Sequence, residues 1–548
     1  MAAATASFGQ ARLQVIHNCP APAAASVDVW VNGTKLLPNF AFRTATPYLD
    51  VPSGVPLQVR IKAAGSTDTT QPLFYRSYTL PANANVVAIA NGNIGTGFAP
   101  NPDNLNTGFD LDILTDGRLS SSMTGMPQVK VFHGSPDAPT VQVKVARTST
   151  VLVPQAAFRQ SSGWLDAPAA NLDLDIVASG NIVARFGAPL NAFADSALLV
   201  LASGYLTPSA NNNGPAFGLL AVTPKGRTIL LPAVPLTASL QVVHNCASPG
   251  AASVDVWVGN TKLLPGFTFR SATPYVSVPA NTALQVRIKG AGSTDTTQPL
   301  FYRSYTLPPD AEVIAVATGN VGTGFAPNPD GISTAFDLTI LDGRQRSTTA
   351  GGAQVKVLHG ATDAPTVRVK VSGTSTVLVP QAAFRQSSGW LDAPAANLNL
   401  DVDAFATGST VATYTAPLAA FADSALLVMA SGYLAPAANN NGPAFALVAV
   451  TKGGRAVVLP TAVTGIAKAV KAEAMQVSPN PALNTAEFIL PNGVSPVSAE
   501  LLDMTGRRVW SANAASTRVD LSGLPKGMYY LLARSTEGSV YQARLMHE

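Results

Sequence analysis

Ser26-Val27-Asp28-Val29-Trp30-Val31-Asn32-Gly33 is the stretch that decides the fold. Its three valines alternate with Asp28 and Trp30, the period of two that turns one side of a strand toward a core and the other toward water. Asn32-Gly33 then supplies two residues that accept positive φ, so the strand doubles back in a tight hairpin. Gly259-Asn260 does the same after Val254, Val256 and Val258, and Val141, Val143 and Val145 alternate with Gln142 and Lys144. Leu57 to Ile61, Tyr75 to Leu80 and Val86 to Ala90 read as further strands, separated by Pro, Gly, Ser and Asn. Roughly seven short strands in about 105 residues, with no amphipathic helix pattern, predict an all-β, immunoglobulin-like antiparallel sandwich.

Around this hairpin a larger module recurs four times. It comprises His17, Phe42, Arg43 and Tyr48; His133, Phe158, Arg159 and Trp164; His244, Phe269, Arg270 and Tyr275; and His359, Phe384, Arg385 and Trp390. Each arginine follows its histidine by 26 positions and precedes its aromatic by five. A spacing kept without a gap means four copies of one fold. The copies are A (12–118), B (128–232), A′ (239–344) and B′ (354–460). Ala64 to Pro81 returns almost unchanged as Ala291 to Pro308, and Thr148 to Leu172 as Thr374 to Leu398, so an AB pair was duplicated. The short polar or Pro-bearing joints, Leu119 to Pro127, Pro232 to Ser239 and Gln345 to Ala353, predict a string of beads with limited bending. A linker (461–475) and a fifth, different β unit (476–548) close the chain.

Composition narrows the function. Of 548 residues only 12% are charged and the net charge is +4, with no Lys/Arg-rich run, so a nucleic-acid surface has little support. Two cysteines, Cys19 and Cys246, exclude a disulfide framework and a CxxC zinc site; as equivalent positions in two copies they are expected to be free, buried thiols. No apolar run reaches the roughly 20 residues of a spanning helix. Met1 to Gln10 lacks the charged and apolar regions of a signal peptide.

His133-Gly-Ser-Pro-Asp-Ala-Pro139, the alternating valines and the Phe-Arg pair together resemble the bacterial domain-of-unknown-function family DUF4397, found in secreted and surface proteins. The resemblance covers all four copies, and the A copies depart from it at His17-Asn18-Cys19-Pro20. It carries no catalytic residues across. His17, Arg43, His133, Arg159, His244, Arg270, His359 and Arg385 are expected to form a repeated structural network, because each histidine ends an apolar strand where its ring can satisfy a buried loop group. Trp164 and Trp390 are expected in the core. Trp30 and Trp257, opposite the valines, are the candidate ligand contacts, able to stack on sugars. Neither a metal nor a cofactor is expected: His17 with Cys19 finds no further ligand, Gly92 to Gly97 is followed by Pro100 and Pro102 rather than a phosphate-binding helix, and the calcium-like Asp103, Asp110 and Asp112 lose a member to Thr339 in A′.

The last unit carries Pro479-Asn480-Pro481, then Asp503 through Gly506 to Arg507, then Leu524, Gly527 and Tyr529 in Leu-Pro-Lys-Gly-Met-Tyr. In this order the three motifs resemble the C-terminal sorting domain of type IX secretion substrates, type A. The resemblance implies that residues 476–548 address the chain to the type IX machinery, that cleavage falls in the 461–475 linker, and that an N-terminal signal was trimmed. The expected product is a non-enzymatic extracellular or outer-membrane surface protein with structural, adhesive or glycan-binding duties, its partners being that machinery and a surface polysaccharide or other extracellular ligand. The rivals are a glycan-acting enzyme, for which Asp173 and Asp175 at alternate strand positions are the natural carboxylates, and a surface-lattice or filament subunit.

Overall fold

In a computed structural model, which describes residues 9–462, 473–504, 507–513, 516–535 and 539–548, the A copy builds eight strands. They are β1 (Gln10–His17), β2 (Ser26–Val31), β3 (Thr34–Ala41), β4 (Leu49–Pro52), β5 (Pro56–Ala63), β6 (Phe74–Thr79), β7 (Asn85–Asn91) and β8 (Asp110–Leu114). Two four-stranded sheets, ordered β4-β1-β7-β8 and β3-β2-β5-β6, make the sandwich. The β2–β3 hairpin turns at Asn32 and Gly33, both with positive φ (50° and 82°), as its sequence requires. Val27 and Val29 go into the core with Ile61.

The B copy repeats the plan with β9 (Gln128–His133), β10 (Val141–Val145), β11 (Val151–Ala156), β12 (Leu165–Asp166), β13 (Asn171–Ala178), β14 (Asn181–Pro189), β15 (Ala197–Ser203), β16 (Gly218–Val222) and β17 (Thr228–Leu230). Its sheets are β12-β9-β15-β16-β17 and β11-β10-β13-β14. One feature departs from purely antiparallel pairing. β1 runs parallel to β7, and β9 to β15. Thr237–His244 and Glu312–Thr318 repeat this in A′. Parallel neighbours need a long crossover, and here the whole second sheet provides it.

Two compact units divide the chain: Met1–Thr366 with Gln381–Ala396 and Leu418–Val458, and Val367–Pro380 with Asn397–Pro417 and Leu459–Glu548. The first holds A, B, A′ and the five-stranded sheet of B′. In the second, Val367–Val371, Asn397–Ala404 and Thr410–Pro417 pair antiparallel in that order. The C-terminal residues add a five-stranded and a three-stranded sheet around Phe488, Leu501, Leu531 and Leu545, all fully buried.

The string-of-beads spacing does not hold within the first unit. Ile16, Val87 and Ile89 of A share one apolar cluster with Phe132, Leu199, Leu201, Leu220 and Val222 of B. Val243, Ile314, Val316 and Leu341 of A′ share another with Leu358, Leu427, Met429, Val448 and Val450 of B′. Sheet lies on sheet across the repeat boundary, so the first AB pair has four layers and three cores. The physical reason is visible in β7 and β15. Val86 packs inside A and Leu198 and Val200 inside B, while the alternate Val87, Ile89, Leu199 and Leu201 face the other repeat. The joints follow the same logic. Ser121 donates to the Asp195 carbonyl (2.8 Å) in the turn before β15, and Val234 donates to that of Arg185 (2.8 Å) in β14, so both joints are tied to B rather than hanging free.

Candidate functional site

The fixed 26-residue spacing is a hydrogen bond. The backbone N–H of Arg43 donates to the carbonyl of His17 (2.8 Å), Arg159 to His133 (2.7 Å), Arg270 to His244 (2.8 Å) and Arg385 to His359 (2.8 Å). Each histidine is buried. Its Nε2 donates to a loop carbonyl: Ala24 (2.7 Å), Pro139 (3.0 Å), Ala251 (2.8 Å) and Pro365 (3.0 Å) respectively. Its ring meets the module's phenylalanine edge-on, 6.2 to 6.4 Å between centroids. In the A copies Nδ1 also accepts the N–H of Cys19 or Cys246 at 3.3 Å. The apparent His17–Cys19 metal pair is therefore a loop brace. Both thiols are free and buried, and burial pushes Cys19 up to about 12.

Burial also pulls all four imidazoles down, His17 to about 4, the bond to the loop carbonyl opposing only in part. They are neutral when folded and protonate near 6.5 when unfolded. The folded value being depressed, this contribution to stability is complete above about pH 6.5 and is lost as pH falls toward 4. For His17 alone the shift corresponds to roughly 3 kcal/mol. Melting temperature against pH should therefore fall between about 6.5 and 4, and His17→Gln should flatten that slope. An unchanged slope would refute the assignment.

The four arginines join repeats to each other. All lie at positive φ, 62° to 68°, a conformation unfavourable for a side-chain-bearing residue and held here by tertiary bonds. Arg43 of A reaches B, donating to the Ser203 hydroxyl (3.1 Å) and carbonyl (2.9 Å) and the Ala216 carbonyl (2.7 Å). Arg159 of B reaches back to the Gly108 carbonyl and to Asp112 (3.8 Å) in A. Arg270 clamps Ser431 and Ala444, and Arg385 clamps Thr318 and Ala335. The aromatic five positions on takes part as well: the Tyr48 N–H donates to Pro224 (3.2 Å), and the Trp164 indole to the Asp116 carbonyl (2.8 Å).

Trp164 and Trp390 are corrected from core to partly exposed seam residues, each facing two cations: Arg118 and Lys130, and Arg344 and Lys356. Trp30 and Trp257 need the opposite correction. They are 9% and 8% exposed, because the loop after β5 in A, and its counterpart in A′, folds over them. Ser66 accepts the Trp30 indole N–H (2.9 Å) and donates to buried Asp28 (2.7 Å), which also takes Lys35 (2.8 Å) and the N–H of Asn39 (2.9 Å). Ser293, Asp255, Lys262 and Gly266 repeat the arrangement. Burial opposes ionisation of Asp28 and Asp255, but these donors together hold both carboxyls below the usual range. Neither indole can stack on a sugar. On the same sheet face the exposed aromatics are Tyr75 (51%) and Tyr302 (53%), with Arg60 and Arg287 stacked at 4.5 and 4.8 Å.

The carboxylates weighed for chemistry are engaged elsewhere. Asp103 accepts Thr140, Asp110 accepts Arg76, and Asp112 faces Arg159. Asp173 meets Arg147 (3.3 Å), and buried Asp175 is held by both Nε and Nη2 of Arg185. Arg185 also reaches Asp310 of A′, a contact the sequence did not reveal. Its signal was a paired difference between copies: Arg185 becomes Thr413 in B′, and Asp310 is Asn83 in A. Asp137 was missed too. It accepts the N–H groups of Leu206 and Thr207 and the amide of Asn211, each at 2.9 Å, and so fixes the His133-to-Pro139 loop.

In the C-terminal unit the three motifs are structural anchors. The Asn480 side chain donates to the Arg544 carbonyl (2.7 Å) and accepts the Met546 N–H (2.9 Å), tying Pro479 to Pro481 to the final strand, Val540–His547. Asp503 and Arg507 close a turn by backbone (2.9 Å) and side-chain (3.1 Å) bonds, Gly506 lying outside the described residues. Tyr529 is buried and donates to the Pro525 carbonyl (2.5 Å), while Leu524 packs on the same core and Gly527 opens the strand Gly527–Ser535. The predicted cleavage region falls largely on residues 463–472, and the leader reading on residues 1–8; both lie outside the described residues. Among the described residues no helix is long and apolar enough to cross a membrane.

Comparison with known proteins bears out the sorting motifs and the resemblance of A, A′ and the start of B′, the His133-to-Pro139 stretch of B lying outside the matched residues. The family model "Domain of unknown function (DUF4397)" matches residues 11–107 and 238–370, and "Secretion system C-terminal sorting domain" matches 476–546. No curated protein matches the chain. Among solved structures it is similar to PorZ, a surface component of the type-IX secretion system of Porphyromonas gingivalis, at 10% identity over 92% of this chain and 80% of that one. The TM-score is 0.12, too low for that likeness to bear on fold or function. The sorting domain marks the protein for export by type IX secretion to the cell surface or beyond. The chain is thus an all-β protein of tandem sandwiches that carries DUF4397 domains and ends in a secretion system C-terminal sorting domain.

Proposed function

We propose that this is a non-enzymatic surface or extracellular protein with a structural or adhesive role, which holds a glycan or other extracellular ligand on the outer sheets of A and A′. The carrying observation is where the repeated polar residues spend their bonds. All four histidines and all four arginines are used to brace loops and clamp one repeat to the next. The carboxylate pair offered by Asp173 and Asp175 is bound by arginines. Facing water in both A copies is a flat aromatic beside a cation, the Arg60–Tyr75 and Arg287–Tyr302 pairs. Two equal sites in one chain raise avidity without any new contact.

The purified chain should therefore bind on a glycan array, and Tyr75→Ala with Tyr302→Ala should weaken binding more than tenfold while either single variant retains part of it. Trp30→Ala should act through stability alone. Release of reducing ends from any bound polysaccharide would overturn the non-enzymatic reading.

A further inference from the structure

The two sheets of the B sandwich leave space between them. A cavity of about 390 Å³ is lined by Val129, Leu174, Leu190, Phe193, Val200 and Leu219, among other apolar side chains, with Thr150 and Asp166 as its polar members. The A′ sandwich has about 60 Å³ between its sheets. A second cavity in B, about 150 Å³, shares Val131, Val143, Ile176 and Leu219 with the first, so the two are neighbours along one interior. Protein interiors are close-packed, and few voids exceed a water molecule. An apolar void of roughly 150 Å³ stays dry and takes up benzene or xenon, and small-molecule pockets begin at about 300 Å³.

One polar atom of this interior is unpartnered, as is its equivalent in B′, Nδ1 of His359. His133 lines the smaller cavity and is 2% exposed. Its Nε2 donates to Pro139, but its Nδ1 has no hydrogen-bond partner. In A the equivalent atom accepts the Cys19 N–H. A buried acceptor left open costs stability unless something donates to it. The edge of the larger cavity is also unlike its counterpart. β12 has two residues, whereas Leu391–Pro394 in B′ has four, because Pro127 has no N–H to offer where Ala353 pairs with Ala393. Leu165 to Pro168, at this shortened edge, line the larger cavity.

We propose that the B sandwich binds a neutral, unbranched alkyl chain bearing a hydroxyl group, the chain filling the larger cavity and the hydroxyl donating to Nδ1 of His133. Entry is past Leu165 to Pro168. A carboxylate is disfavoured, since the cavities offer it no cation and Asp166 carries the same charge. The inference goes beyond the adhesive reading, being in B rather than on the outer sheets of A and A′.

Calorimetric titration of the full chain with 1-dodecanol, dodecyl methyl ether and dodecanoate tests it. Dodecanol should bind saturably, one molecule per chain. The ether, with no proton to give, should bind at least about fivefold more weakly, and dodecanoate should give no heat. Val200→Phe fills the larger cavity and should abolish dodecanol binding; Ala221→Leu provides the same test with a smaller change should the first variant fail to fold. No binding by the full chain, equal binding by ether and alcohol, or undiminished binding by a folded cavity-filled variant would each overturn the proposal.

Discussion

Replacing Phe132 by alanine is expected to destabilise A and B together, by about 3–5 kcal/mol. Phe132 is fully buried, and its neighbours in the seam come from both repeats: Ile16, Val87 and Ile89 on one side, Leu199, Leu201, Leu220 and Val222 on the other. A cavity there removes contacts from two sandwiches at once, and neither can close it without shifting its own core. Scanning calorimetry should show one transition for the pair, lowered by roughly 6–20 °C, as expected for a cooperative body of this size. Amide exchange at Val87 and Ile89 in A should accelerate along with that at Leu199 and Leu201 in B. Protection kept in A while B loses it would mean that the repeats unfold as separate beads.

Arg185→Ala is the second large effect, about 3–5 kcal/mol. The arginine is 1% exposed and bonds Asp175, itself 3% exposed, at 2.6 and 3.1 Å while also holding Asp310 of A′. Truncation strands the Asp175 carboxylate in the interior with no cation, which is the costly way to break a buried pair. B′ indicates the milder substitution. There Thr413 occupies the equivalent place and donates its hydroxyl to Asp401 at 2.7 Å. Arg185→Thr should thus recover part of the loss within B yet still release A′, so a double-mutant cycle with Asp310→Asn should give a coupling energy of about 1–3 kcal/mol in the arginine background. Coupling near zero, measured by denaturant unfolding, would show that the B–A′ contact contributes nothing.

Much of the fold was legible, and the reason is local. Asn32-Gly33 admits a tight hairpin because of its own backbone preferences, and Val27, Val29 and Val31 name a buried face by their period. The module's fixed spacing corresponds in all four copies to one hydrogen bond, from the arginine N–H to the histidine carbonyl 26 positions earlier. Trp30 was misread for a physical reason too. Alternation says which face of a sheet a residue occupies, but not whether a loop 36 positions later will cover that face, as Ser66 does. Trp164 failed in the other direction, because a residue at a seam between repeats is neither core nor free surface.

The sequence by itself determined the all-β class, the repeated module and the terminal export address, because each is encoded in short-range patterns that one stretch of chain carries alone. Only the tertiary structure decided that A and B are one body. The uninterrupted runs Val86 to Ala90 and Leu198 to Ala202 do carry a trace of it, since a strand buried on both faces loses its alternation. Such a run says that a second apolar surface is present and leaves its owner unnamed. That owner is chosen by shape and by the reciprocal reach of Arg43 and Arg159 across the seam, which exist only once both sandwiches have folded.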